Sequence, residues 1–348
     1  MHHRSSIKGV LFLLVLVVTL VTVFILGVMH EQKIQEEVSQ RAQEINSENL
    51  NKQREEAIIT SLPDITCWGD GLTTGNGSDG PSYPEILAQL THLTVHNMGV
   101  NREDSATIAT RQGGRYIILN DITIPATTTP IKIGTSDTLA NNASESLQLL
   151  KRGDAGINPV SIAGIEGTLS INENEPGVYY FTRNSDGENV SLLEPTPLLT
   201  SASQERKNDI TIIFIGQNGG YENIDQLIDQ QNAMIEHLGH DKYLILGLTT
   251  GTTSSRSELE QRLEETHKEK FINLREYFVT DGLNDANLQP TEEDLANIAI
   301  GKIPASLLID EDIVGNSIYH ELIAKKIYSK IIDLNYLTDI QQQYLGLQ

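Results

Sequence analysis

One cysteine, one tryptophan and an aromatic content of 5% mark what this 348-residue chain has little of, and Lys and Arg total only 25 against 47 Asp and Glu. The single thiol, Cys67, excludes an intrachain disulfide and any CxxC metal knuckle, and its apolar neighbours make it a small core residue. A formal charge of −22, with no cluster of Lys and Arg, argues against nucleic acid as a partner, because phosphate backbones are bound by cationic surface that displaces counterions. An acidic surface mainly favours solubility. No proline occurs before Pro63, and no charged residue lies between Gly9 and Met29.

That uncharged run is rich in Leu, Val, Ile and Phe and matches the roughly 20 residues needed to cross a bilayer. Arg4 and Lys8 precede it and Glu31, Glu36 and Glu37 follow, so the positive-inside rule makes residues 1–8 cytoplasmic, 9–29 the transmembrane anchor and the remainder extracellular. A cleaved signal peptide fits less well: the run exceeds a usual apolar core, and Ile25–His30 lacks a small-x-small cleavage pattern. Residues 30–62 have a helix-forming Glu/Gln/Asn/Lys/Arg composition. The apolar seam there is thin (Ile34, Val38, Ala42, Ile45) and breaks at Asn46–Asn49, which reads as a solvated stalk.

Beyond Pro63, short apolar runs alternate with helical spacing. Ile65–Gly69, Leu93–Met98, Asp209–Gly216, Tyr243–Leu248 and Phe271–Leu274 read as strands, and Tyr83–Leu90, Ile224–Leu238, Ser255–Lys268, Thr291–Ile300 and Ser317–Leu334 as helices. This implies a three-layer, flavodoxin-like α/β fold with a mostly parallel sheet, in two parts, 63–115 and 205–348. Between them, residues 116–204 alternate Ile and Val with Thr and are punctuated by Gly and Pro, which predicts a β-rich insertion, a small barrel or sandwich.

Several segments resemble, in order, the conserved blocks of the SGNH/GDSL hydrolases. Gly69-Asp70-Gly71-Leu72-Thr73-Thr74-Gly75 is similar to the first, Gly-Asp-Ser-Leu-Thr-x-Gly. Asn97–Ser105 is similar to the second, Gly216-Gln217-Asn218-Gly219 to the third, and Leu308–Val314 with Tyr319 and Ile323-Ala324 to the last. The resemblance implies ester hydrolysis, typically deacylation of lipid or carbohydrate, in which a serine attacks, a histidine takes its proton and an aspartate orients the histidine.

Carried onto this chain, the serine position is Gly71 and the histidine position Ile313. The orienting aspartate is retained as Asp310 and the oxyanion asparagine as Asn218. The oxyanion glycine falls on Arg102, whose side chain would occlude the pocket or clamp an anion, and the aspartate of the third block is Gly219. Losing nucleophile and base together removes the covalent route.

The implied protein is therefore a catalytically degenerate hydrolase that binds an acylated carbohydrate or lipid, or an envelope protein, through Asp70, Arg102 and Asn218. Two alternatives stay open: an active esterase with a non-standard nucleophile such as Asp70, and a structural component of a membrane complex. His320 reads as a solvated helix histidine rather than a displaced base. His237 and His240 read as a surface pair at a helix end, so no metal and no cofactor are expected.

Overall fold

The computed structural model describes residues 3–172, 174–175, 177–309 and 314–347, and the chain falls into two compact units, Met1–Leu62 and Pro63–Gln348. The first is a single helix, α1 (His3–Ser61), with no break between its apolar and charged parts. The absence of proline allows this, and Pro63 follows its end. Its apolar part is long and apolar enough to cross a membrane, with a mean hydropathy of 3.1 over 18 residues. Thr19 and Thr22 donate their hydroxyls to the carbonyls of Val15 and Val18 one turn back, so neither polar group needs water.

The second unit is built on five parallel strands: β1 (Ile65–Gly69), β2 (Val95–Gly99), β3 (Ile210–Phe214), β4 (Tyr243–Leu246) and β5 (Phe271–Ile272). They lie in the order β5-β4-β3-β1-β2, which is the flavodoxin-like 2-1-3-4-5 order. Every residue of β1 and β3 is buried, as expected of central strands covered on both faces. Trp68, Ile213 and Ile245 stand side by side in register and pack in one core with helices α3 (Ser105–Gln112), α4 (Ile224–Leu238) and α5 (Thr253–His267). On the opposite face, α2 (Tyr83–Thr91) and α6 (Ser317–Asp333) pack together, and Tyr83 meets Phe214 edge-on. Cys67 is free and buried, which pushes its thiol pKa up.

Between α3 and β3, six antiparallel strands form one sheet in the spatial order 117–119, 196–200, 160–162, 165–171, 178–183 and 131–135, and Ile122–Ile124 pairs separately with Val190–Leu192. Sheet and ribbon share a core of their own that includes Ile133, Leu169, Phe181, Leu192 and Leu198. The sheet is not a closed barrel: among the described residues strand 131–135 pairs only with 178–183, and beyond 196–200 strand 117–119 meets a single antiparallel bridge from Ile117 to Asn141. The hairpin joining 160–162 to 165–171 turns on Ala163 and Gly164, both at positive φ, the two-residue turn that matches strand twist.

Candidate functional site

In a sheet of this order the crevice opens beyond the carboxyl ends of β1 and β3, where successive crossovers leave in opposite directions. A cleft of about 1080 Å³ lies there, lined by the loops after β1, β2, β3 and β4.

The loop after β1 turns at once into a short helix, Gly71–Thr74, with Asp70 as its N-cap. The Asp70 carboxylate accepts the Leu72 N–H at 3.0 Å and an Asn218 Nδ2 hydrogen at 2.7 Å. Only 3% exposed, Asp70 has its pKa pushed up to about 6, chiefly by burial, with the Leu72 N–H pulling the other way. Two glycines make this close packing possible. A Cβ on Gly69 would run into Thr73 Oγ1 and come within 2.9 Å of the Phe214 carbonyl, and one on Gly99 would lie 2.5 Å from the Thr74 backbone nitrogen.

Gly71 itself has ordinary backbone geometry; what stands before it is Asn101. A Cβ on residue 71 would lie 2.8 Å from Asn101 Oδ1. A side chain at this position would therefore have to displace the Asn101 carboxamide. Arg102 follows with φ of 57°, the left-handed conformation natural to glycine, and its side chain is exposed along the cleft.

Glu103 turns inward instead. Its carboxylate receives Arg111 Nε and Nη2, while Arg111 also donates to the carbonyls of Met98 (2.9 Å) and Ala155 (3.1 Å) and lies 5.1 Å from the Trp68 ring. Burial pushes the Glu103 pKa up and the Arg111 guanidinium pulls it back. Asn218 Nδ2 reaches the Glu103 carbonyl at 3.2 Å, tying the loops after β1, β2 and β3 together. On the far wall, Gln217 donates to Thr249 Oγ1 at 2.9 Å, and the Tyr319 hydroxyl lies 3.0 Å from the same oxygen. Thr250, Thr252 and Lys302 continue that wall.

The structure thus brings Asp70, Gly71, Arg102 and Asn218 into one cleft. The positions read as Asp310 and Ile313 lie outside the described residues. Asn101, Gln217 and the Thr249–Thr252 segment also line the cleft, and of these only the Thr-rich turn after β4 carries a sequence signal, a repeat of the strand-into-polar-turn pattern of the loop after β1. His320 is not the solvated helix histidine its sequence context suggests: it is 1% exposed, stacked on Tyr83 with ring centroids 6.5 Å apart and edge-on to Tyr319, and burial brings its pKa down to about 4. His237 and His240 each face a different backbone carbonyl, of Ser203 and Lys207.

No protein-family model matches the sequence, and no curated protein does. Among solved structures, the chain is similar to one from Desulfitobacterium hafniense DCB-2 assigned to the G-D-S-L family of lipolytic proteins. The two are 13% identical with a TM-score of 0.39, over 77% of this chain and 99% of that one. At that score the likeness adds nothing to what strand order shows by itself. The cleft's own residues are amides, threonine hydroxyls, a buried carboxyl whose pKa is raised to about 6, and the cationic side chains of Arg102 and Lys302. Among the described lining residues there is no serine, cysteine or histidine.

One further cluster sits near the amino ends of β1, β2 and β3. Asp64, His96 and Asp209 bring potential metal-ligand atoms within 4.8 Å of one another. Arg206 reaches all three, at 3.5, 2.7 and 3.7 Å, and supplies the positive charge there.

Proposed function

We propose that this chain is a membrane-anchored, extracellular protein of the SGNH/GDSL hydrolase type whose cleft binds an acylated carbohydrate instead of hydrolysing it. The observation that carries the reading is the pairing of Gly71 with Asn101: the attacking side chain is missing, and one placed there would have to displace the Asn101 carboxamide. Asn218 is held between Asp70 and the Glu103 carbonyl, so the cleft keeps an ordered polar frame. Helix α1 supports anchoring, and the flanking charges support an extracellular cleft.

The test uses the full chain in detergent micelles. Hydrolysis of p-nitrophenyl acetate is expected to be no faster than by Asn218→Ala. An O-acetylated oligosaccharide is expected to bind the native chain and not Asn101→Trp, which fills the cleft. Turnover above the Asn218→Ala rate, or binding indifferent to Asn101→Trp, would overturn the proposal.

A second reading rests on Asp70, a buried carboxyl on the cleft wall whose pKa is raised to about 6, in the range of an acid–base catalyst. It makes the protein an active hydrolase. It requires turnover that Asp70→Asn abolishes while Asn101→Ala does not.

A further inference from the structure

We propose that the ligand of this cleft is an anionic carbohydrate chain, whose negative groups lie over Arg102 and continue onto the 148–153 loop of the inserted sheet. The proposal rests on the binding reading above and names the chemical class that the cleft takes.

The first observation is Arg102. It holds a left-handed backbone conformation at φ 57°, which strains a residue that carries a Cβ. Its exposed guanidinium makes no hydrogen bond or ion pair among the described residues. Of its two acidic neighbours, Glu103 is turned inward onto Arg111, while Asp104 stays charged and accepts the Thr107 N–H at 2.8 Å as the cap of α3. In a chain of net charge −22, an exposed arginine with no ion pair of its own is cationic capacity available to a ligand.

The second observation is continuity. Arg102 lines the main cleft and also a smaller depression whose other side is the 148–153 loop. That loop presents Lys151 and Arg152, both exposed. Lys151 donates to Gln148, and Arg152 has no hydrogen-bond or ion-pair partner among the described residues. Lys302 also lines the cleft. Arg102 is shared by the cleft and the depression, so cationic side chains line both. Between them lie amides and threonine hydroxyls, which suit sugar hydroxyls better than acyl chains. A chain of sugars that carries negative groups as well as hydroxyls fits this mixture of cations and hydrogen-bonding groups. Carboxylate and phosphate share that chemistry, and the test separates them.

The experiment is isothermal titration of the full chain in detergent micelles with three probes: tri-galacturonate, its neutral methyl ester and a short glycerol phosphate oligomer. Tri-galacturonate or the phosphate oligomer is expected to bind at least 10-fold more tightly than the ester, and whichever binds better identifies the anion. Arg102→Gly, which removes the charge and suits the backbone, should weaken that binding at least 10-fold while leaving the urea midpoint unchanged or higher. Lys151→Gln/Arg152→Gln, on an exposed loop, should weaken it 3-fold or more.

Equal affinity for acid and ester, indifference to both variants, or no binding of either anion would overturn the proposal. Binding of a neutral acetylated sugar would then still stand for the wider reading. That reading falls instead if the same preparation turns over p-nitrophenyl acetate faster than Asn218→Ala.

Discussion

Arg111→Leu is the substitution that should disturb this fold most per atom removed. The guanidinium is completely buried and does four things at once. It neutralises Glu103, ties the loop after β2 to the Met98 carbonyl, reaches the Ala155 carbonyl in the insertion, and covers Trp68. Removing one partner of a buried ion pair costs about 3–5 kcal/mol, because the other charge is left without water or counter-charge. Leucine restores some apolar contact, so a net loss of about 4 kcal/mol is expected, or roughly 10 °C in Tm for a domain of this size.

Trp68 provides the assay. It is the chain's one tryptophan, 1% exposed, so its emission reports unfolding in urea without a label. The double variant Arg111→Leu/Glu103→Leu should recover about 2–3 kcal/mol of the deficit, since it also removes the stranded carboxylate. Acid gives a second signature. Without Arg111, burial and the nearby Asp104 charge both act on Glu103 and hold its folded pKa above the unfolded value. The native state is then favoured below the unfolded pKa and loses ground as pH rises through the folded one. The single variant's deficit should therefore be largest at neutral pH and shrink toward pH 5. A loss under about 0.5 kcal/mol, or a double variant as damaged as the sum of the singles, would refute the account of Arg111 as a charge-balanced junction.

Two further outcomes follow from the same geometry. Asp70 has a folded pKa near 6 against 3.8 unfolded, so its own contribution to stability should be fullest below pH 4 and be lost as pH rises through 6. Urea titrations across pH 4–7 should show a fall of about 2–3 kcal/mol that Asp70→Asn lacks. At the glycines, Gly71→Ala should cost at most about 1 kcal/mol, because the Asn101 carboxamide can swing aside, whereas Gly69→Ala, facing the Phe214 backbone carbonyl, should cost about 3 kcal/mol or prevent folding; thermal melts of the pair decide it.

Strand runs, helix periodicity and the polar turn after β1 were legible because each is a local pattern with one physical cause. Ile210–Phe214 has no polar residue but Thr211, whose hydroxyl bonds the Asp209 carbonyl, so its burial on both faces could be read directly. Other features depend on neighbours that composition does not name. Glu103 and Arg111 look like any two charges eight residues apart until the loop after β2 turns one onto the other. Asn101 gains its meaning from the space before Gly71. His320 lies on a helix with a charged face, yet Tyr83, from α2 some 240 residues earlier, closes over it. The inserted strands were visible one by one, but whether six of them close or stay open depends on edge pairing that no strand records in itself.

The inserted sheet begins and ends on adjacent strands: Leu119 faces Thr196, Ile118 faces Pro197 and Ile117 faces Leu198. In kinetic terms this is a zipper. Ile65 must find Ile210, a search across roughly 145 residues of chain. Once 117–119 and 196–200 have joined, the effective loop drops to roughly 65 residues and the closure cost falls by about 0.7 kcal/mol. The gain comes only after the insertion has folded, so the parallel sheet, whose β1 and β3 lie on either side of the insertion in the chain, is expected to close faster once residues 117–200 have assembled.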